Sequence, residues 1–359
     1  MTAFDLAVTG AGLVLPCGDG FEAARAAWAS KAPAFAELPE ALGPGRGAAC
    51  TAFNPAGIIP PMQLRRLDRP SRFAWGAAHH ALQDAGLDPK AAGHRLAIAV
   101  GTNTGGSEAS EAFMRPYFAR GPEGASPMVF PNCVANAPSG HVALAFGIKG
   151  PSTTQLDREN ACFSALEEAR WWLAGGLADA VLVIGVDGLF PMLVELLQRT
   201  RLAARHGDPV PGAASGLLPG EGAQAFVVER AAAAEARGAR VRAKVRGLAW
   251  ACGPDDRPAS RQEALTRAAV EALAGQGAGA WIAGSNGHPR LDLAEARLAA
   301  DLPGLPAPAH PKALWGELCG SGGQLLAAAL LEAPGPVLVT APASFGAQAA
   351  ALLEVLPTA

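Results

Sequence analysis

Two hydrophobic patterns alternate along the chain. The first is a continuous apolar run ending at glycine or a turn: "DLAVTGAGLVLP", "HRLAIAVGTNTGG", "ADAVLVIGVD" and "GEGAQAFVVER". Short apolar runs without polar alternation predict strands, several of them buried on both faces. The second pattern spaces apolar residues three and four apart, as a helix face requires. It occurs in "GFEAARAAWASKA", "RLDRPSRFAWGAAHHALQDAGLDP" and "SGHVALAFGIKGP". In the second of these, Phe73, Ala77, Ala81 and Leu82 share a face, and Gly86 is the expected stop. Residues 150–169, "GPSTTQLDRENACFSALEEA", predict a strand end, a polar turn and an Ala-rich amphipathic helix.

The pattern restarts after residue 230. "RVRAKVRGLAWAC" predicts a strand, "ASRQEALTRAAVEALAGQG" a helix, "AWIAGSNGHP" a strand and turn, and "DLAEARLAADL" a helix. "GELCGSGGQLLAAALLEA" predicts a Gly-rich turn entering a helix, and "PVLVTAPASFGAQAALLEVL" closes the chain with strands. Strands alternating with helices in both parts make the class α/β. Only the pattern repeats; no short sequence motif does.

Composition narrows the function classes. The 359 residues carry a formal net charge of -3 and are 50% hydrophobic, which suits a globular chain of one large domain or two intimate ones. Charges of both signs are scattered, so nothing favours nucleic acid or an anionic membrane. The opening "MTAFDLAVTGAGLVLPCGDG" lacks a basic n-region and reads as a strand and turn, not a signal peptide. No apolar run is long and glycine-free enough to span a bilayer. Six cysteines (Cys17, Cys50, Cys133, Cys162, Cys252 and Cys319) form no CxxC pair, which points to reduced thiols in a cytoplasm. His79 and His80 have no partner ligand at metal spacing and read as surface or packing residues. The turns "GAGLVLPCG" and "GTNTGG" match neither a dinucleotide fingerprint nor a P-loop, so close backbone packing is the reading for both. No cofactor or metal is expected.

In order along nearly the whole chain, the segments resemble the β-ketoacyl synthases, condensing enzymes of the thiolase-like superfamily. The resemblance is carried by "VTGAGLVLPCGDG", "RRLDRPSRFAWGAAHHALQDAGLDP", "FPNCVANAPSGHVALAFGIKGPSTT", "GLADAVLVIGVD", "GLLPGEGAQAFVVER", "DLAEA", Lys312 with "GELCGSGG", and "SFGAQ". It implies two similar halves, residues 1–230 and 231–359, in a five-layered αβαβα sandwich, and an obligate dimer.

The family's chemistry does not carry over residue by residue. Its nucleophilic cysteine lies eight residues after the proline of Gly-Pro, which from Pro151 is Glu159. Counting back from "GLAD" also reaches Glu159. A shifted register, resting on the likeness of "ACFSAL" to the family's Ala-Cys-Ser-Ser-Ala-Leu, places Cys162 there instead. The first family histidine precedes an aspartate by eight residues, which from Asp292 is Gly284; His288 is four positions late. The second follows the motif lysine by five, which from Lys312 is Glu317.

Condensation needs a thiolate, activated at a helix N-terminus, and two histidines that donate to an enolate oxygen. Glutamate is a poor reversible acyl acceptor, Gly284 has no side-chain donor, and a carboxylate at Glu317 repels an enolate and could donate to it only if burial or Glu159 strongly raised its pKa. Lys312 is expected to pair with Glu159 and Glu317 in an ionic cluster.

The resemblance therefore implies a silent homologue like a chain-length factor. Such a protein pairs with an active ketosynthase, helps shape the product tunnel, and works with acyl carrier protein. Phe345 and Ala347 would border substrate, with Ala347 at the family's gatekeeping phenylalanine. The chain is also short between "LLAAALL" and "PVLVTAPASFGAQ". Two alternatives stand beside this reading: an enzyme using Cys162 with His288 as base, or using Glu159, and a homodimeric pseudoenzyme scaffold. Arg65, Arg66, Arg69 and Arg72 form a basic cluster that would suit an acidic carrier protein, or simply a solvated helix face.

Overall fold

The computed structural model describes residues 6–204, 207–255, 257–318 and 322–357. Ten strands carry the architecture. The first five are β1 (Leu6–Leu15), β2 (Leu96–Gly101), β3 (Ser152–Gln155), β4 (Ala180–Asp187) and β5 (Gly222–Arg230). The second five are β6 (Ala243–Ala251), β7 (Ala280–Ile282), β8 (Pro308–Ala309), β9 (Gly335–Ala341) and β10 (Gln348–Val355). The hydrogen-bonded order is β8-β7-β9-β10-β6-β1-β5-β4-β2-β3.

The two runs of five have the same order, third-second-fourth-fifth-first. They also have the same directions. The second strand of each is parallel to the third and fourth, and the fifth is antiparallel to the fourth and first. They join through a three-residue antiparallel pairing of Leu6–Val8 with Ala243–Val245.

Helices fill both sides and the middle. α1 (Arg69–Asp84) and α2 (Ala137–Phe146) cover the outer face of the first run. α3 (Ala161–Ala174) lies on its inner face. α4 (Pro258–Leu273) and α5 (Pro289–Asp301) cover the outer face of the second run. α6 (Gly323–Ala329) touches β4 and β5 as well as β7 and β9, so it is sandwiched between the runs. The layers are αβαβα, as expected.

Strand patterning follows from this. In β2, Leu96, Ile98 and Val100 join the outer core, while Ala97 and Ala99 face the central layer. The central core holds Phe163, Leu166, Leu325 and Leu326 from α3 and α6. Each such large side chain, fully buried, contributes about 1.5–3 kcal/mol.

α1 forms as its sequence dictates. The Asp68 carboxylate caps it by accepting from Ser71 N at 3.2 Å, and Phe73, Ala77, Ala81 and Leu82 are all in the outer core. Gly86 follows with φ +59.

Two expectations are corrected here. The "GAGLVLPCG" glycines are not a turn: β1 continues to Leu15, and a Cβ on Gly12 would lie 2.0 Å from the Ala77 carbonyl oxygen. They let α1 lie directly on the strand. A helix at Ser107–Arg120 was not expected, because its pattern is mixed and Pro116 interrupts it.

Candidate functional site

A cavity of about 450 Å³ opens where several strands end at their carboxyl edge. Asn103 follows β2, Glu159 follows β3, Asn286 follows β7, and Ser344 follows β9; all four line it. Ligand sites in open α/β sheets sit at this edge, because the loops there are free to vary while the strands hold them in place. Leu193, Leu197, Leu202, Leu217 and Leu291 supply an apolar wall.

Glu159 lies in the short turn Arg158–Asn160, directly before α3. A negative charge there complements the helix N-terminus. Ser344 Oγ donates to Glu159 Oε1 at 2.5 Å, and Asn160 Nδ2 donates to the Ala347 carbonyl at 2.7 Å, tying the turn to the last loop. Arg158 has φ +51, and its guanidinium lies 4.9 Å from the Phe345 ring centroid. Gly101 lets α3 start against the end of β2: a Cβ there would be 2.3 Å from the Ala161 carbonyl carbon.

Glu317 enters from the second half. Its Oε2 accepts from Lys312 Nζ at 2.8 Å and from Asn286 Nδ2 at 2.6 Å. Lys312 is 2% exposed, so its ammonium needs this partner. The expected three-member cluster is thereby corrected. Lys312 pairs with Glu317 alone, while Glu159 is held by Ser344.

The loop Gly284–Gly287 is held by two carboxylates of α5. Glu295 accepts from Gly284 N at 2.7 Å and Ser285 N at 2.8 Å, and also from the Ser285 and Thr340 hydroxyls. Burial pushes the Glu295 carboxyl above its usual range, and those hydrogen bonds oppose the shift. Asp292 accepts from Asn286 N at 3.0 Å and Gly287 N at 3.2 Å. Gly284 has no room to be anything larger, since a Cβ would stand 2.7 Å from Pro342 Cδ.

The alternative nucleophile is elsewhere. Cys162 is fully buried in the central core and is not among the residues lining the cavity. Burial pushes its thiol up to about 12, the reverse of what a nucleophile needs. His288 does line the cavity, with its amide bonded to Asn286 Oδ1 at 2.9 Å. The Cys162–His288 pair is therefore not assembled. Phe345 lines both this cavity and a neighbouring cleft of about 510 Å³, whereas Ala347 lines only the cleft.

Arg69 is not part of a free basic patch. With Cys50 N and Leu189 N it bonds to the buried carboxylate of Glu221. Arg72 Nε donates to the Leu67 carbonyl at 3.0 Å, leaving Arg65 and Arg66 exposed. Cys319 lies outside the described residues. Among the described residues no group of His, Cys, Asp and Glu is arranged to hold a metal ion, and no helix is long and apolar enough to cross a membrane.

Asn286 and Ser344 are the functional positions that motif counting missed. Both lay inside quoted segments, "GSNGHP" and "SFGAQ", but no family spacing pointed to them.

Two like-ordered strand runs around a buried helical layer, with a cavity at their carboxyl edge, define a thiolase-like condensing-enzyme fold. The sequence profile described as Beta-ketoacyl synthase, N-terminal domain, matches residues 4–234, and the chain belongs to this β-ketoacyl synthase family. It is 28% identical over 203 residues to a Staphylococcus aureus 3-oxoacyl-[acyl-carrier-protein] synthase 2, covering 54% of this chain and 50% of that one. The chain thus matches about half the length of the first of its curated relatives. It is 30% identical over 345 residues to the tetracenomycin polyketide synthase ketoacyl synthase beta subunit of Streptomyces glaucescens, covering 90% and 84%. Among solved structures, a beta-ketoacyl synthase from Burkholderia phymatum STM815 superposes with a TM-score of 0.86 at 20% identity, over 99% of this chain and 100% of that one. The ishigamide ketosynthase/chain length factor gives 0.82 at 21%, with the same coverage.

Proposed function

We propose that this chain is a non-catalytic ketosynthase-like subunit. In this reading it pairs with an active, cysteine-bearing β-ketoacyl synthase and helps to shape the tunnel that holds the growing acyl chain. The observation that carries the proposal is the identity of the cavity's polar groups. Glu159 stands at the start of α3, and Glu317 faces the same space, anchored by Lys312 and Asn286. Neither side chain can act as a thiolate, and Glu317, ion-paired with Lys312, meets an enolate as an acceptor and not as a donor. Gly284, the third position, has no space for an imidazole. The long match to a beta subunit supports the same reading. Acyl carrier protein is the proposed partner of the pair, with the exposed Arg65 and Arg66 as its proposed contacts on this chain.

Native mass spectrometry of the tagged protein, purified from its own host, tests the pairing. The expected result is a one-to-one complex with a second ketosynthase chain that carries the cysteine. A homodimer alone would overturn the pairing and move the assignment to a self-associating scaffold.

A further inference from the structure

The cavity is lined by two residues that each carry an acceptor without a partner among the described residues. Glu317 is 8% exposed, and only its Oε2 is bonded; Oε1 is buried and has no hydrogen-bond partner among the described residues. Glu159 is in the same condition: Ser344 uses Oε1, while Oε2 is buried and unpartnered. Both residues line the one cavity. A buried carboxylate oxygen without a donor is costly, and two residues that carry one and line a single cavity invite a ligand that brings donors.

The charges point the same way. Lys312 neutralises Glu317 on its far oxygen, and Arg158 is turned onto the Phe345 ring. Glu159 is in no ion pair among the described residues, although Arg158 also lines the cavity. One side of the wall is leucine, with Phe345 at the boundary to the neighbouring cleft, and Asn103, Thr200 and His288 add polar groups to the rest.

We propose that this cavity binds an amphiphilic primary amine. Its ammonium donates to Glu159 Oε2 and Glu317 Oε1, and its hydrocarbon part lies along Leu193, Leu197, Leu202 and Leu217. An ammonium supplies up to three donors and one positive charge, which matches two orphan acceptors and one uncompensated carboxylate. An anionic acyl or malonyl head would meet the same oxygens with like charge. The assignment goes beyond the silent-subunit reading and does not need a partner chain.

Isothermal titration of the purified protein with octylamine, 1-octanol and octanoate at pH 7 tests it. Octylamine is expected to bind at least about tenfold more tightly than octanol, because charge-assisted hydrogen bonds are roughly twice as strong as neutral ones. Octanoate should show no binding. Glu159→Gln, at a half-buried position, should fold and lose about tenfold in octylamine affinity while octanol affinity stays unchanged. Glu317→Gln strips Lys312 of its partner, so its folding is checked by circular dichroism before titration. Equal affinities for the three ligands, or tighter octanoate, would overturn the assignment. So would an unchanged octylamine affinity in Glu159→Gln. None of these outcomes bears on the native mass, so the pairing proposal and the ligand proposal fail separately.

Discussion

At the scale of single residues, one helical turn separates the two candidate nucleophile positions, and burial decides between them. Cys162 points into the central core, where a thiolate has no solvation and no positive neighbour. Glu159, three residues earlier, reaches the cavity. Counting from Pro151 already reached Glu159; what counting lacked was the direction of each side chain, which depends on where the turn ends and α3 begins. Iodoacetamide should therefore modify exposed Cys252 in the native protein and leave Cys162 untouched until urea is added. Glu159→Cys should gain an adduct at position 159 under native conditions. The same variant should still not condense malonyl thioesters, since Gly284 and Glu317 offer the enolate no donor. Peptide mapping by mass spectrometry reads the first two outcomes, and native labelling of Cys162 would contradict them.

At the scale of elements, the strands were legible because apolar runs such as Leu96–Gly101 and Ala180–Asp187 are buried on both faces and tolerate no polar residue until the strand ends. α1 was legible because one face is apolar and an aspartate caps it. The helix Ser107–Arg120 was not, since its apolar pattern is mixed and Pro116 lies inside it. Its first turn carries an electrostatic cost. Burial, followed by the nearby Asp68 charge, raises the Glu108 carboxyl to about 7, while Arg69 opposes the shift and its backbone N–H donates to Glu108 Oε2 at 3.2 Å. Asp187, just beyond it, is raised to about 6 by burial, against hydrogen bonds from Thr104, Thr102 and Asn103.

A carboxyl whose folded pKa lies above its unfolded value holds more protons folded than unfolded, so these groups lower stability as pH rises from about 4 to 7. Above about 7 their contribution is constant. Glu108→Gln keeps an acceptor for Arg69 N and removes the titration. The melting temperature of the wild type is expected to fall more steeply between pH 5 and 7 than that of the variant. Parallel curves from differential scanning fluorimetry would show that Glu108 is not the source.

At the scale of the whole molecule, the doubling was legible as a pattern of elements that restarts after residue 230, while the order of strands within each run was not. Residues 1–230 and 231–359 share a pattern of elements but no motif, because a fold constrains which positions are apolar far more than which apolar residue fills them. The halves are also not separable in packing. α6 belongs to the second half by sequence, yet its Leu325 and Leu326 complete the central core beside Phe163 and Leu166 of α3. A Cβ at Gly185 of β4 would lie 3.1 Å from Gly323 Cα, so α6 lies on β4 almost backbone to backbone. Arg242 reaches across the junction to clamp Asp84 with two hydrogen bonds, and Trp28 Nε1 donates to Glu332 at 3.0 Å.

A boundary at residue 230 would thus not mark a folding unit. Cutting there divides the shared central core, which leaves each fragment with its outer core but an exposed apolar inner face. We expect urea unfolding to be a single transition. Tryptophan fluorescence, reporting Trp28 and Trp172 in the first half and Trp281 and Trp315 in the second, should share one midpoint with far-ultraviolet circular dichroism. A fragment ending at residue 230 should be insoluble or molten when expressed alone. Two resolved midpoints, or a soluble fragment with sharp near-ultraviolet signals, would mean that the central helices are shared in space but not in stability.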